Sequence, residues 1–142
     1  MKPSAMLFDL DGTIYQEGAL ISGAVEVLDL LKVSQIPFRF ITNNTRMRKN
    51  KIVTMLGNMG LIISSDDIFA APHAAVLYCQ NKGYKNILLA VQDKEIAKDF
   101  SEFKLVKHNP EAVVLGDMGE EFTFKLINTL FNHILSGAEL VS

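Results

Sequence analysis

The sequence is poor in cysteine, in charge of one sign and in uninterrupted apolar length. Its one cysteine, Cys79, excludes an internal disulfide. The neighbouring Ala74-Ala75-Val76-Leu77-Tyr78 has the pattern of a helix with an apolar face, so a buried core thiol is the expected role. Sixteen acidic residues against fourteen basic ones give a formal charge of -2. That balance argues against a general nucleic-acid or membrane-surface binder, and any anionic ligand must be held by local groups. At the N-terminus, Asp9 and Asp11 interrupt the apolar stretch long before the length of a signal peptide or membrane span, so a cytoplasmic protein is expected. Repeats, low-complexity tracts and linkers rich in proline or glycine are also missing.

What is present is an alternation of short apolar runs and amphipathic stretches, with 49% hydrophobic content over 142 residues, enough for a buried core. Ala5-Met6-Leu7-Phe8 reads as a buried strand ending at an acidic turn. After a loop through Glu17, Gly18 and Gly23, the spacing of Ala24, Val27, Leu28 and Leu31 predicts a helix over 24–33. Pro37 marks a break, and Phe38 to Thr42 reads as a second strand. This β-α-β unit should have a right-handed crossover that brings both strand ends, and with them Asp9 and Thr42, to one edge. Asn43-Asn44-Thr45 then supplies capping chemistry for a helix over 46–59, stopped by Gly60. Beyond Leu61 the pattern restarts. Ser64 to Asp67 caps a short turn, 72–82 and 123–135 suit helices with stops at Gly83 and near Gly137, and 94–100 suits a short helix. Strands are expected at 86–91 and 112–115, with another starting at Leu140-Val141.

Two carboxylates flanking one residue at a strand end, followed by Gly12, can meet a magnesium ion and a phosphate where backbone amides converge. The same residues can equally form an ordinary acidic turn. Thr42 and Asn43 can bind phosphate, or can serve as strand-end and helix-cap residues. Arg46, Arg48, Lys49 and Lys51 form a basic run that either steers an anion or lines a solvated helix face. His73, His108 and His133 have no metal-ligand spacing.

The string Leu7-Phe8-Asp9-Leu10-Asp11-Gly12-Thr13 resembles the first motif of the haloacid dehalogenase-like hydrolases. Ile41-Thr42-Asn43-Asn44-Thr45 resembles the second motif of their NagD-type subfamily, and the likeness extends through Ile14 to Gly18 and Ser22-Gly23-Ala24. Ser22 stands where that subfamily usually has proline. Gly116 to Asn128 resembles cap sequence of the branch containing phospholysine phosphohistidine inorganic pyrophosphate phosphatase.

The resemblance implies an α/β protein. A Rossmann-like parallel-sheet core, of which residues 1–60 are the N-terminal part, would carry an inserted α/β cap from 61 to 142. It further implies a magnesium-dependent phosphatase. Asp9 would be the nucleophile and a magnesium ligand, and Asp11 the general acid and base, whose backbone carbonyl is the second magnesium ligand. Thr42, Asn43 and Gly12 would hold the substrate phosphate. Phosphorylated small molecules, pyrophosphate and phosphoproteins are all open as substrates.

The family also needs a lysine and a later acidic pair, and both normally follow the cap. Gly116-Asp117-Met118-Gly119-Glu120-Glu121 superficially matches the acidic motif, but on this reading Asp117 is a cap residue. The chain is then expected to be an N-terminal half with impaired activity. Its exposed apolar faces would favour a homodimer or dependence on further chain. The alternative is a non-catalytic fold fragment or association module. A phospho-accepting receiver domain also suits the length, but such a domain carries its acceptor on an internal strand, which disfavours it.

Overall fold

The computed structural model describes residues 3–142, which divide into two compact units, 3–43 with 49–70, and 44–48 with 71–142.

The first unit opens with strand β1 (Met6–Asp9), whose residues alternate between half-buried and exposed. Leu10 continues the alternation and is fully buried, 1% exposed, which leaves Asp9 and Asp11 together on the opposite, solvent-facing side. The loop expected after Thr13 is a hairpin, β2 (Tyr15–Gln16) against β3 (Ala19–Leu20). Its two connecting residues, Glu17 and Gly18, both have positive φ (51° and 81°), the requirement of a tight turn that follows the strands' twist.

Helix α1 (Ala24–Val33) matches the expected bounds. Ala24, Leu28 and Leu31 form its buried face, and Glu26 and Lys32 complement the dipole at its two ends. It stops where Gln35 turns left-handed (φ 53°) and Ile36 N–H bonds the Leu31 carbonyl at 2.9 Å. Strand β4 (Phe38–Thr42) then pairs in parallel with β1, Phe8 beside Phe40 and Asp9 beside Ile41. Phe8, Phe38 and Phe40 meet at ring-centroid separations of 5.6 to 6.4 Å. Phe38 meets both Phe8 and Phe40 edge-on, at 77° and 74°, which suits the aromatic quadrupole.

Helix α2 spans Lys49–Asn58, not 46–59. The Asn44 side chain explains the late start: its Oδ1 accepts the N–H groups of Arg46 (2.8 Å) and Met47 (3.1 Å), closing a local turn that competes with the helix. After a 3-10 turn (Ser65–Asp67) closed by a Ser64–Asp67 capping box comes a strand the sequence reading did not contain, β5 (Ile68–Ala70). It lies parallel to β4, giving the sheet order β1-β4-β5. The first unit therefore runs through Ala70 and does not end at 60.

The second unit is a parallel four-stranded sheet. Helix α3 (Ala71–Lys82) precedes β6 (Asn86–Ala90), and the 94–100 segment is a 3-10 helix. Then come β7 (Lys104–Leu105), β8 (Ala112–Leu115), α4 (Phe124–Leu135) and β9 (Glu139–Val141), in the order β7-β6-β8-β9. Val76, Cys79, Ile87, Ile96, Phe100, Ala112 and Val114 form one buried cluster, and Ala90, Val113, Met118, Leu130 and Ala138 another. Burying both faces accounts for the nearly continuous apolar text of β6 and β8. Cys79 is a free, fully buried thiol, and burial, with Glu139 second, pushes its pKa up. Among the described residues no helix is long and apolar enough to cross a membrane.

Candidate active site

The first unit places Asp9, Asp11, Gly12, Thr42 and Asn43 at or just beyond the C-terminal ends of two adjacent parallel strands. Open α/β sheets bind ligands at that edge. The register sets Asp9 level with Ile41, so Thr42 lies one residue further along and on the alternate side of the pleat. Thr42 is 8% exposed and Asn43 is exposed.

The turn after β1 is held by its backbone. The buried Leu10 carbonyl accepts N–H groups from Thr13 (3.3 Å), Ile14 (2.8 Å) and Tyr15 (3.2 Å), and Gly12 N–H donates to the Tyr15 carbonyl at 2.8 Å. Gly12 has φ 74°, a conformation that favours glycine. Leu10 N–H donates to Asp9 Oδ1 at 2.8 Å, so the two carboxylate oxygens of Asp9 are not equivalent. Tyr15 is drawn beside this turn, and its phenol is held above its ordinary value by burial first, then by Asp11 and Asp9. Tyr15 had no role in the sequence reading. Its one signal there was its place immediately after the acidic turn.

These residues fit part of a magnesium shell. Magnesium takes oxygen ligands, keeps several waters and is commonly held by one or two carboxylates together with substrate phosphate. Asp9 offers an exposed carboxylate, and none of the turn's hydrogen bonds named above uses the Asp11 carbonyl. Among the described residues no group of three or more His, Cys, Asp or Glu side chains is placed to hold a metal.

Asp117 belongs to the second unit and is engaged there. Its Oδ2 accepts Arg46 Nε and Nη2, each at 2.8 Å, and its Oδ1 accepts Gly119 N–H at 2.8 Å. Arg46, followed by the Gly119 amide, holds the carboxyl below its ordinary range. The basic run divides: Arg46 and Arg48 pair with Asp117 and Asp99, whereas Lys49 and Lys51 lie on α2.

A model of the family described as haloacid dehalogenase-like hydrolase matches residues 6–105, which covers both β1 and β4 with their terminal turns. The chain belongs to the haloacid dehalogenase-like hydrolases. Among its relatives in this family, haloacid dehalogenase-like hydrolase domain-containing protein 2 of Rattus norvegicus is 33% identical over 138 residues, 97% of this chain and 52% of that protein. Phospholysine phosphohistidine inorganic pyrophosphate phosphatase of Homo sapiens is 30% identical over 134 residues, 92% of this chain and 48% of that protein. The chain thus spans about half the length of the curated relatives it matches.

Solved structures share the fold. NagD from E. coli K-12 superposes with a TM-score of 0.86 at 16% identity, over 97% of this chain and 55% of that one. A glycerol phosphate phosphatase from Mycobacterium tuberculosis, solved in complex with magnesium, superposes with a TM-score of 0.79 at 22% identity, over 95% and 42%.

Proposed function

We propose that these residues are the nucleophile-bearing part of a magnesium-dependent phosphatase that transfers a phosphoryl group first to Asp9 and then to water. One observation carries the reading: Asp9 and Asp11 stand exposed on either side of buried Leu10 at a parallel-strand end, with Thr42 and Asn43 ending the neighbouring strand.

The free Asp9 oxygen attacks phosphorus while the Leu10 N–H holds the other carboxylate oxygen. The P–O bond to the leaving group breaks as Asp11, protonated at this stage, gives its proton to the departing oxygen. Asp11, now a carboxylate, takes a proton from water, whose oxygen attacks the aspartyl phosphate. The bond to Asp9 breaks, phosphate leaves and Asp9 is restored. Thr42, Asn43 and the turn at Gly12 hold the phosphoryl oxygens, in a transition state that needs positioning and charge neutralisation more than covalent help. Magnesium, held by Asp9 and the Asp11 carbonyl, would supply much of that neutralisation.

The substrate class is a phosphomonoester, pyrophosphate or a phosphorylated protein side chain. The printed name of the phospholysine phosphohistidine relative and the glycerol phosphate neighbour support this range. We also place the protein in the cytoplasm, a setting in which a lone reduced thiol such as Cys79 is ordinary. A bridging lysine and a second acidic pair are also implied by the family, and we assign neither role to a residue of this chain. The reading is tested by following phosphate release from p-nitrophenyl phosphate with and without magnesium, and by trapping a hydroxylamine-labile phosphoryl group. Both signals should vanish in Asp9→Asn. A magnesium-dependent signal that survives that substitution would overturn the assignment of Asp9.

A second reading, an association module, is favoured by the exposure of Leu7, Leu30 and Val33 in the first unit and of Phe124, Phe131 and Leu135 in the second. A tight dimer by sedimentation, with no binding of magnesium or phosphate by calorimetry, would select it.

A further inference from the structure

Tyr15 closes the acidic turn of the first unit, and its backbone is fixed from both sides. Its N–H donates to the Leu10 carbonyl at 3.2 Å, its own carbonyl accepts the Gly12 N–H at 2.8 Å, and it pairs with Leu20 across the β2–β3 hairpin. The adjoining Ile14 is 3% exposed, whereas Tyr15 is only half-buried. Asp11 and Tyr15 are themselves partners in an isolated parallel bridge, and residues paired in this way carry their side chains side by side on one face. The electrostatics agree with that placement: after burial, Asp11 acts most strongly on the phenol, ahead of Asp9. The hydroxyl is engaged by no hydrogen bond among the described residues.

We propose that Tyr15 is a leaving-group contact, its O–H donating to an oxygen that the departing group carries beyond the ester oxygen. Substrates with such an acceptor are then preferred over those with plain hydrocarbon in that place. This rests on the phosphatase reading above. In the first step Asp11 carries a proton and delivers it to the departing oxygen, so the departing group lies against Asp11 and therefore beside Tyr15, its bridge partner. Neither carboxylate competes for the phenol proton at that stage. Asp11 is still protonated, one Asp9 oxygen accepts the Leu10 N–H, and the other attacks phosphorus. A phenol is a neutral donor, and a donor set among carboxylates offsets their repulsion of an oxygen-rich leaving group. Sites that donate a hydrogen bond discriminate against analogues lacking the acceptor. Tyr15 is half-buried, so its discrimination is about tenfold and not that of an enclosed site. A hairpin tyrosine with only a packing role would use its ring and leave its hydroxyl to water, and phenylalanine would replace it without effect.

The test titrates inorganic phosphate and methylenediphosphonate, each with magnesium, into the 142-residue chain by calorimetry. Phosphate presents a phosphoryl group alone, whereas methylenediphosphonate adds an oxygen-rich group in the leaving position through a P–C bond that resists hydrolysis. Wild type, Tyr15→Phe, Tyr15→Ala and Asp9→Asn are compared, each with its melting temperature, and the ratio of the two affinities is the readout. Wild type should bind methylenediphosphonate more tightly than phosphate. Tyr15→Phe and Tyr15→Ala should both lower the ratio about tenfold, with the melting temperature of Tyr15→Phe unchanged. A wild-type ratio in Tyr15→Phe would overturn the contact, even with a lowered ratio in Tyr15→Ala, because the hydroxyl is then not what the ligand meets. Equal losses for the two ligands leave the ratio unmoved and overturn it as well, making Tyr15 a prop for the turn. Phosphate binding that requires magnesium and is lost in Asp9→Asn upholds the phosphatase reading whichever way the ratio falls, so the two ideas fail separately. If wild type binds neither ligand, both fail.

Discussion

Two glycines show how differently one residue type can be required. Gly12 sits at φ 74° with nothing within 4 Å of where a Cβ would be, so its constraint lies wholly in the backbone. Gly116 has an ordinary φ, and its constraint is the Thr45 side chain at 3.0 Å. Gly12→Ala should cost about 1 kcal/mol in urea unfolding from left-handed strain alone. It should weaken phosphate binding as well, because the turn amides shift. Gly116→Ala should displace the 44–48 stretch, read as a changed Thr45 amide signal. An alanine at 12 as stable as wild type would show that the turn relaxes freely.

Asp117 gives a pH prediction whose sign is fixed. Arg46 lowers its folded pKa below the ordinary 3.8, so the contribution to stability is complete above that value and is lost as pH falls through the lower folded value. Asp117→Asn should flatten the acid limb of the stability profile below about pH 4 and leave the profile near neutrality parallel to wild type. The acidic turn at Asp9 was legible because strand, turn and glycine are contiguous. The Arg46–Asp117 clasp was not, because side-chain pairing across the fold leaves no periodic trace in sequence.

Elements with many apolar positions were read well, and some of the shortest were lost. Helix α1 and strand β4 were found to the residue, each announced by its own periodicity and by Pro37 between them. Strand β5 has only Ile68, Phe69 and Ala70 and passes into α3 without a turn residue, so nothing in the text separates it from the following helix. Its identity comes from pairing with β4, a tertiary fact. The start of α2 was misjudged because Asn44 can cap a helix or close a turn, and here it closes a turn.

Helix α4 offers a clean test at this scale. Thr123 was assigned to the helix but is its cap, its hydroxyl accepting the Leu126 N–H at 3.2 Å. Thr123→Ala should cost about 1 kcal/mol, whereas Thr123→Ser or Asp should cost much less. Equal losses in all three, measured by chemical denaturation, would mean the cap contributes nothing.

At the scale of the molecule, each unit has its own parallel sheet, and each leaves apolar side chains in water. The outer face of α4 is the clearest case, with Phe124 84%, Phe131 53% and Leu135 69% exposed at spacings of seven and four residues, which place them on one stripe. The inner face, centred on buried Leu130, already packs against Val113 and Met118. An aromatic side chain carries about 150–250 Å². The stripe therefore presents roughly 400 Å², within the range of patches that are usually functional on a monomer. Two copies facing each other would bury about 800 Å², below the size of most specific dimers. Sedimentation velocity should accordingly show weak, concentration-dependent self-association, not a tight complex. Phe131→Lys combined with Leu135→Glu should abolish it without lowering the melting temperature, since neither side chain belongs to the core cluster. A protein that stays monomeric across the whole concentration range, or a double variant that associates as before, would show that the stripe is not the contact. A variant that melts earlier would show instead that the outer face of α4 supports the fold of its own unit.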